Sequence, residues 1–404
     1  MEIWKTAWRN VWRSRRRTLV TVSAMSFALW VMILYSGLLA GYLRDMERGI
    51  LDLEIGDLQV HAIEYRGDPS LYARIDDPEV LLKQLRSEGF RATPRLLAWG
   101  MAAADESSAG VSFRGVDVAA DALVSRIHEH VMEGSWLDPA DPHGVVLGRR
   151  LARMLGVGPG VEIVVLSQGA DGATAADLFE VRGVLQSIGD ATDRAGVFMN
   201  ADAFRELFVV PLGAHQIVVR RPPEVALDSA AVAVRGLAPG LDVQTWRELM
   251  PTMASLLDSA KGAMLAMFFI VYLAIAVLIL NSMLMAVFER IRELGVLKAL
   301  GVGPAGILGL MLAEAGIVTA ISVAAGLAVG LPSLLYLAIY GIELTSVAGL
   351  SIMGMAMDPH WRAEMSVGVV LAPVGALVAI VSVAVLYPAL KAAWIDPVRA
   401  IYHR

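Results

Sequence analysis

The sequence predicts a membrane protein with four transmembrane α-helices and a large, two-lobed α+β extracytoplasmic domain between helices 1 and 2. Three observations predict it. Of 404 residues, 56% are hydrophobic and 18% charged, where an ordinary soluble domain carries about 25% charged residues. The apolar residues gather into four long stretches that are almost free of charge. Charge is also partitioned along the chain. Residues 44–261 hold 32 acidic and 21 basic residues, a net of −11, and the remainder holds 8 acidic and 13 basic, a net of +5. Such a split is expected of parts that occupy opposite sides of a membrane.

Each span follows from length and composition, since a hydrocarbon core of about 30 Å needs about 20 apolar residues in a helix. Residues 18–43, 263–288 and 366–390 carry no charge, and 305–340 carries only Glu314. Orientation follows from the basic flanks. Arg13, Arg15, Arg16 and Arg17 precede the first span, Arg290, Arg292 and Lys298 sit in the 289–304 segment, and Lys391, Arg399 and Arg404 follow the last span. Both termini and the 289–304 segment are therefore expected in the cytoplasm. The 44–262 insertion and the short 341–365 loop are expected outside. The first apolar stretch exceeds the 7–15 residues of a signal peptide and lacks a clear small-x-small site, so it reads as an uncleaved anchor. Before it, residues 1–17 read as an interfacial helix, with Trp4, Trp8, Val11 and Trp12 on one face and Lys5, Arg9 and Arg13 on another.

The insertion alternates short strand and helix patterns. Strands are predicted at 57–62, 109–116, 161–166, 179–185 and 216–220, and helices at 77–88 and 119–128. Strand-to-helix units are predicted at 145–155, closed by Gly156, and at 197–208. An inner lobe from 57–128 and 215–245 would carry an outer lobe of about 130–214. From Trp246 onward, Leu249, Met253, Leu256, Leu257 and Ala260 keep helical spacing, predicting a continuous stalk into the second span.

Catalytic chemistry finds little support. There is no cysteine, which removes disulfides, thiolate metal sites and cysteine nucleophiles. His128 and His130 are the only close histidine pair, and no HExxH motif occurs. Ser167 and Ser187 lack a nucleophile-elbow context. Gly156–Gly160 is glycine-rich but lacks the GK[ST] of a phosphate loop, so it reads as a turn. With no Walker A sequence, the chain is expected to be non-catalytic and to hold no cofactor or metal. Glu314 alone is thin support for a gradient-driven carrier. The segment from Asn281 to Gly301 runs from the second span into a charged helical stretch, with Ile291, Leu294 and Leu297 three apart on one side. A short rigid helix tied to a span suits a coupling element.

Three motifs carry a resemblance. Residues 7–17 (AWRNVWRSRRR), 289–301 (ERIRELGVLKALG) followed by Glu314, and 387–400 (YPALKAAWIDPVRA) resemble the FtsX-like permease superfamily of ABC transporters, the group of MacB and the lipoprotein-releasing LolC/LolE permeases. Residues 56–61 (GDLQVH), 113–117 (FRGVD), 146–152 (VLGRRLA) and 156–160 (GVGPG) are similar to the lipoprotein-releasing branch. The resemblance implies a MacB-type fold in a bacterial inner membrane and mechanotransmission of ATP-driven movement to the external domain. It also implies a pair of cytoplasmic ABC ATPase subunits that bind the ATP and Mg, and a second permease copy or paralogue. Lipoprotein cargo entering from membrane lipid and a periplasmic carrier complete the set, and no nucleic acid is expected. On that resemblance the ATPase contact falls to Glu289, Arg290, Arg292, Glu293 and Lys298, with Leu294, Leu297 and Leu300 packing the helix. Leu39, Tyr42, Leu43 and Met46 opposite Met264, Phe268 and Phe269 would form a substrate entrance. Gly37-x-x-x-Gly41 and Gly326-x-x-x-Gly330 are candidate helix interfaces. The alternatives are MacB-like export of periplasmic cargo, though that family usually carries its ATPase in the same chain, and FtsX-like regulation of a cell-wall hydrolase.

Overall fold

Lipid offers the backbone no hydrogen-bond partner, so a spanning segment must satisfy its own amides, and a helix does this within one stretch of chain. The computed structural model describes residues 2–63, 65–210, 212–343, 351–352, 355–356 and 360–394. Residues 395–404 lie outside the described residues, and with them the end of the C-terminal motif and the tail; so do 344–350, 353–354 and 357–359 of the loop expected at 341–365.

The chain opens with α1 (Glu2–Arg13) and α2 (Arg15–Ile50). The insertion follows as β1 (Leu58–Ala62), α3 (Pro78–Ser87), β2 (Arg91–Ala104), β3 (Ser107–Val116) and α4 (Val118–Asp121). It continues with β4 (Val131–Gly134), β5 (Gly144–Leu147), α5 (Arg149–Leu155), β6 (Glu162–Gln168) and β7 (Thr174–Leu185). Then come α6 (Asp190–Ala195), β8 (Gly196–Asn200), α7 (Ala201–Phe208), β9 (Gln216–Arg220), α8 (Leu227–Leu237), β10 (Leu241–Thr245) and α9 (Trp246–Leu249). Four helices close the chain: α10 (Pro251–Glu289), α11 (Ile291–Ala299), α12 (Pro304–Ile339) and α13 (Val367–Ala393). Met1–Arg44, Leu256–Leu344 and His360–Arg404 form one unit, and Asp45–Ser255 with Thr345–Pro359 form the other.

Among the described residues four helices are long and apolar enough to cross a membrane, namely α2, α10, α12 and α13. Between such helices lipid removes most of the hydrophobic driving force, so close packing has to hold them. The glycine motifs supply it within the chain. A side chain at Gly326 would meet Leu29 Cδ2 at 2.8 Å, and one at Gly330 would meet Ile33 Cδ1 at 3.1 Å. Gly37 sits against Leu334, and Gly41 sits on the backbone carbonyl of Arg362. Polar stitches accompany this α2–α12 contact: Ser26 Oγ donates to the Ser322 carbonyl (3.0 Å) and Trp30 Nε1 to Ser333 Oγ (3.2 Å). Both glycine motifs are thus occupied by packing inside one chain. At the N-terminus the helix breaks at Ser14 instead of running through residue 17. Ala7 and Val11 are buried against the bundle while Trp4, Trp8 and Trp12 are exposed. Val11 therefore belongs to the opposite face from the indoles, contrary to the sequence expectation.

The inserted unit contains a ten-stranded sheet ordered β10-β1-β9-β2-β3-β8-β5-β7-β4, with β6 pairing both β2 and β7. That double pairing closes β2, β3, β8, β5, β7 and β6 into a ring, which leaves these six strands without a free edge. The ring and α5 and α7 share one core around Phe113, Val165, Phe179, Val197 and Phe204. A second core joins β1, β9 and β10 to Leu81, Leu82 and Leu85 of α3 and Ala230, Ala231 and Val234 of α8. The two lobes share β2. Its start pairs with β9 from Arg91 to Arg95, and its continuation pairs with β3 from Arg95 to Ala104. This corrects the expected boundary, because β3 belongs to the outer core and not to the inner lobe. At the crossing point Arg95 is buried, with Nε donating to Asp121 Oδ1 at 2.8 Å and Nη1 to the Glu54 carbonyl at 2.6 Å.

Two further corrections have local causes. The expected helix at 119–128 is one turn of α4, capped by the Asp117 carboxylate, and a separate 3₁₀ turn at Ile127–His130. The stalk is not continuous from Trp246. Thr245 and Glu248 form a capping box around the short α9, and Met250 leaves the helical region (φ −125°, ψ 66°). Proline at 251 disfavours helical backbone in the residue before it, so α10 starts afresh there.

His215 and His61 are buried together in this unit. His215 Nδ1 accepts from the Leu97 N–H (3.1 Å), and Nε2 donates to the Leu71 carbonyl (3.3 Å). His61 Nδ1 donates to the His215 carbonyl (3.0 Å), and its ring stacks on Tyr65. Protonating His215 would turn its only acceptor into a donor facing another donor. Burial pushes His215 down to about 4, and burial also lowers His61. The unfolded chain takes up this proton near pH 6.5 and the folded chain only near 4, so stability from this site is full above pH 6.5 and lost as pH falls toward 4. The loss is on the order of 3 kcal/mol. Hydrogen exchange in the inserted unit of the full chain is expected to speed up between pH 6.5 and 4.5 after correction for intrinsic rates. His215→Gln should flatten that slope, and an equal slope in the variant would contradict the assignment.

Candidate functional site

The sequence segment singled out for coupling is built around one residue that leaves the helix. α10 ends at Glu289, Arg290 adopts φ −113° and ψ 18°, and α11 begins at Ile291. The uninterrupted helix expected up to Gly301 is therefore two helices. The break turns Arg290 inward, and it is 8% exposed. Its Nη1 donates to Glu314 Oε1 (3.2 Å) and its Nη2 to the Asn10 carbonyl (3.0 Å). The Asn10 side-chain amide donates to the same Glu314 oxygen at 2.5 Å. Arg290 is thus removed from the expected outward contact set, because its charge is already satisfied inside.

The remaining residues of α11 sort by face. Leu294 is buried and Leu297 partly so, as expected. Leu300 is 77% exposed and does not pack the helix. With Arg292 and Val296 it forms a stripe at four-residue spacing, the spacing of neighbours on one helical face. Val296 lies outside the contact set expected from the sequence, and its place midway between Arg292 and Leu300 is the signal that marks it. Exposed pairs flank the stripe: Arg13 with Glu293 and Arg17 with Glu289, each at 2.7 Å. Pairs of this kind contribute about 0.2–1 kcal/mol and weaken in salt. Lys298 Nζ donates to the Ala393 carbonyl at 2.8 Å, at the end of α13. An open groove of about 480 Å³ runs beside α11, lined by residues that include Thr6, Asn10, Leu297 and Met311.

The end of α11 is fixed by glycine. Gly301 sits at φ +96°. Its N–H donates to the Lys298 carbonyl, and the Val302 N–H donates to the Leu297 carbonyl, both at 3.0 Å. This bond pair is the Schellman termination, which favours glycine at the left-handed position.

The expected entrance is only partly assembled. Leu43 and Phe268 are buried in the helical unit, while Phe269 is 61% exposed. Consecutive residues on a helix do not face the same way, so Phe268 and Phe269 cannot both line one opening. Tyr42 packs edge-on against Trp361 (5.4 Å). Leu39 and Met264 are partly buried, and Met46 belongs to the other unit. Phe268 and Leu43 are packing residues, which corrects the set. Among the described residues no group of three or more His, Asp or Glu could hold a metal. His130 Nδ1 bonds the Arg126 carbonyl (3.0 Å) within a 3₁₀ turn, and Gly156 (φ +71°) and Gly160 (φ +87°) take left-handed backbone in a turn.

Two family models match the chain. The FtsX-like permease C-terminal family covers residues 265–397, and the MacB-like periplasmic core domain covers residues 18–237. An uncharacterized ABC transporter permease of Methanocaldococcus jannaschii is 26% identical over 212 residues, 50% of this chain and 50% of that protein. The chain thus spans about half the length of the curated relative it matches. Among solved structures, the periplasmic region of MacB from Actinobacillus actinomycetemcomitans is 12% identical, covers 49% of this chain and 92% of that one, and superposes with a TM-score of 0.36. The extracellular domain of the noncanonic ABC-type transporter YknZ from Gram-positive bacteria is 13% identical, covers 46% of this chain and 99% of that one, with a TM-score of 0.34.

The termination of α11 can be tested without any partner. Nothing lies within 4 Å of a side chain built at Gly301, so Gly301→Ala changes only the backbone preference, by about 1 kcal/mol. Amide exchange at 301 and 302 should accelerate about fivefold in the variant. Unchanged exchange would contradict the Schellman assignment.

Proposed function

Because the chain belongs to the FtsX-like permeases that carry a MacB-like periplasmic core domain, we propose that it is the membrane subunit of an ABC transporter in a bacterial inner membrane, with both termini and α11 in the cytoplasm. A separate pair of ABC ATPase subunits binds and hydrolyses the ATP, and mechanotransmission carries the movement to the external domain. A second permease copy or paralogue completes the assembly.

The observation that carries this reading is the outer face of α11. Arg292, Val296 and Leu300 present a cation and two large apolar side chains to solvent, with Glu289 and Glu293 beside them. Leu300 at 77% exposure is costly to leave in water. A mixed apolar and charged stripe on a short, capped helix is what a protein contact uses, with apolar anchors for affinity and charges for register. Glu289, Arg292, Glu293, Val296 and Leu300 form the ATPase contact, and Lys298 holds α11 to the end of α13.

For cargo, the reading is extraction of lipoproteins from the membrane lipid and delivery to a periplasmic carrier, supported by the motifs at 56–61, 113–117 and 146–160. Leu39, Tyr42, Met264 and Phe269 remain as the entrance for acyl chains. Acylated proteins co-purifying under trapped-ATP conditions would support this cargo, and their absence from mass spectra would count against it.

The contact is tested by hydrolysis. Reconstituted with its partner ATPase, the permease is expected to stimulate ATP turnover. Leu300→Asp, and Glu289→Lys combined with Glu293→Lys, should each reduce ATPase binding at least tenfold while leaving the permease monodisperse. Wild-type binding in both variants would show that the contact lies elsewhere.

A further inference from the structure

A break at Arg290 is a joint, and a joint under load bends. If force enters on the outer face of α11, the interruption between α10 and α11 would dissipate it unless another connection fixes the short helix. The buried cluster is that connection. Asn10 lies on α1, Arg290 at the joint and Glu314 on α12, and the three meet through hydrogen bonds of 2.5, 3.0 and 3.2 Å. Glu314 Oε1 accepts from both Asn10 and Arg290, and Arg290 also holds the backbone of α1. Each partner is oriented by the other two, and Arg290 and Glu314 are buried.

We propose that Asn10, Arg290 and Glu314 are positioning residues that clasp α1, α11 and the start of α12 into one lever, so that displacement of α11 is delivered to α12. This rests on the permease reading above. The placement of α1 supports it. That helix is too short to span a membrane, yet it is seated on the bundle through Ala7 and Val11 and joined to α11 by Arg13–Glu293. The exposed pairs Arg13–Glu293 and Arg17–Glu289 add to the clasp but are screened by salt. The buried cluster is screened much less, so the lever should persist at high ionic strength.

The test uses the full chain with its partner ATPase in lipid nanodiscs. The chain has no cysteine, so Trp8→Cys on α1 and Ala299→Cys on α11 give one clean pair of spin labels. Within a rigid lever, the distance between the labels stays the same in ATP-free and ATP-trapped states, at low and high salt. In Glu314→Gln and in Asn10→Ala, the distribution should broaden and shift on trapping. ATPase affinity should stay at its unvaried value, and permease-stimulated turnover should fall about tenfold. An ATP-dependent shift in the unvaried background would overturn the proposal, as would full stimulation in both variants. Loss of ATPase binding in both variants would also overturn it, by assigning the residues to docking. If Glu314→Gln does not fold, Asn10→Ala decides alone. The permease reading fails differently: the unvaried chain would neither bind nor stimulate the ATPase, and the clasp would fall with it.

Discussion

A guanidinium cannot be buried alone. Removing it from water costs several kcal/mol unless an anion and further hydrogen-bond partners meet it. At Arg290 this requirement organises the end of the helical unit where α1, α11 and α12 meet. Glu314 supplies the anion, and Asn10 supplies an amide to that carboxylate and a carbonyl to the arginine. To reach them the backbone leaves the helix at residue 290, and that departure rotates α11 relative to the end of α10. The rotation decides which residues of α11 face inward, so the outward stripe of Arg292, Val296 and Leu300 is a consequence of where one charge is satisfied. A buried ion pair with directional bonds is a way to present a short helix in one orientation.

The two units are held by different physics. In the helical unit, packing relies on glycines that let Leu29 and Ile33 approach α12, supplemented by serine and tryptophan hydrogen bonds. In the inserted unit the ordinary hydrophobic effect applies, and the ten strands cover several buried clusters, two of which share β2. Buried arginine is paired there too, Arg95 with Asp121 where β2 passes from one core to the other.

The spans are legible because absence of charge over twenty residues has one reading in a chain of this composition, and each stretch lies on one long helix, although α2 and α10 run well beyond theirs at one end. Short runs of β-branched residues, such as Ile217, Val218 and Val219 in Gln216–Arg220, are legible because such residues favour the strand. β2 is not. It contains Pro94, Gly100 and a run of alanines, which weigh against a strand, and it forms because neighbours on both sides supply the pairing. The three-residue spacing of Ile291, Leu294 and Leu297 was visible, but a pattern that counts every charge as outward cannot see that Arg290 is buried. That requires Glu314 and Asn10, 24 and 280 residues away. Leu300 escapes a sequence reading for the converse reason, since it is apolar yet exposed, and Phe268 and Phe269 are alike in type but diverge because adjacent helical positions point apart.

The central claim is that the outer face of α11 meets the ATPase while its inner face holds Arg290 and Leu294. Site-specific photocrosslinking in intact membranes tests it most directly, with a photoreactive residue placed in turn at Val296, Leu300 and Leu294. Crosslinks to a cytoplasmic ABC ATPase from 296 and 300, and none from 294, are the expected result. Crosslinks from 294 alone, or from none of the three when the assembled complex is present, would contradict it.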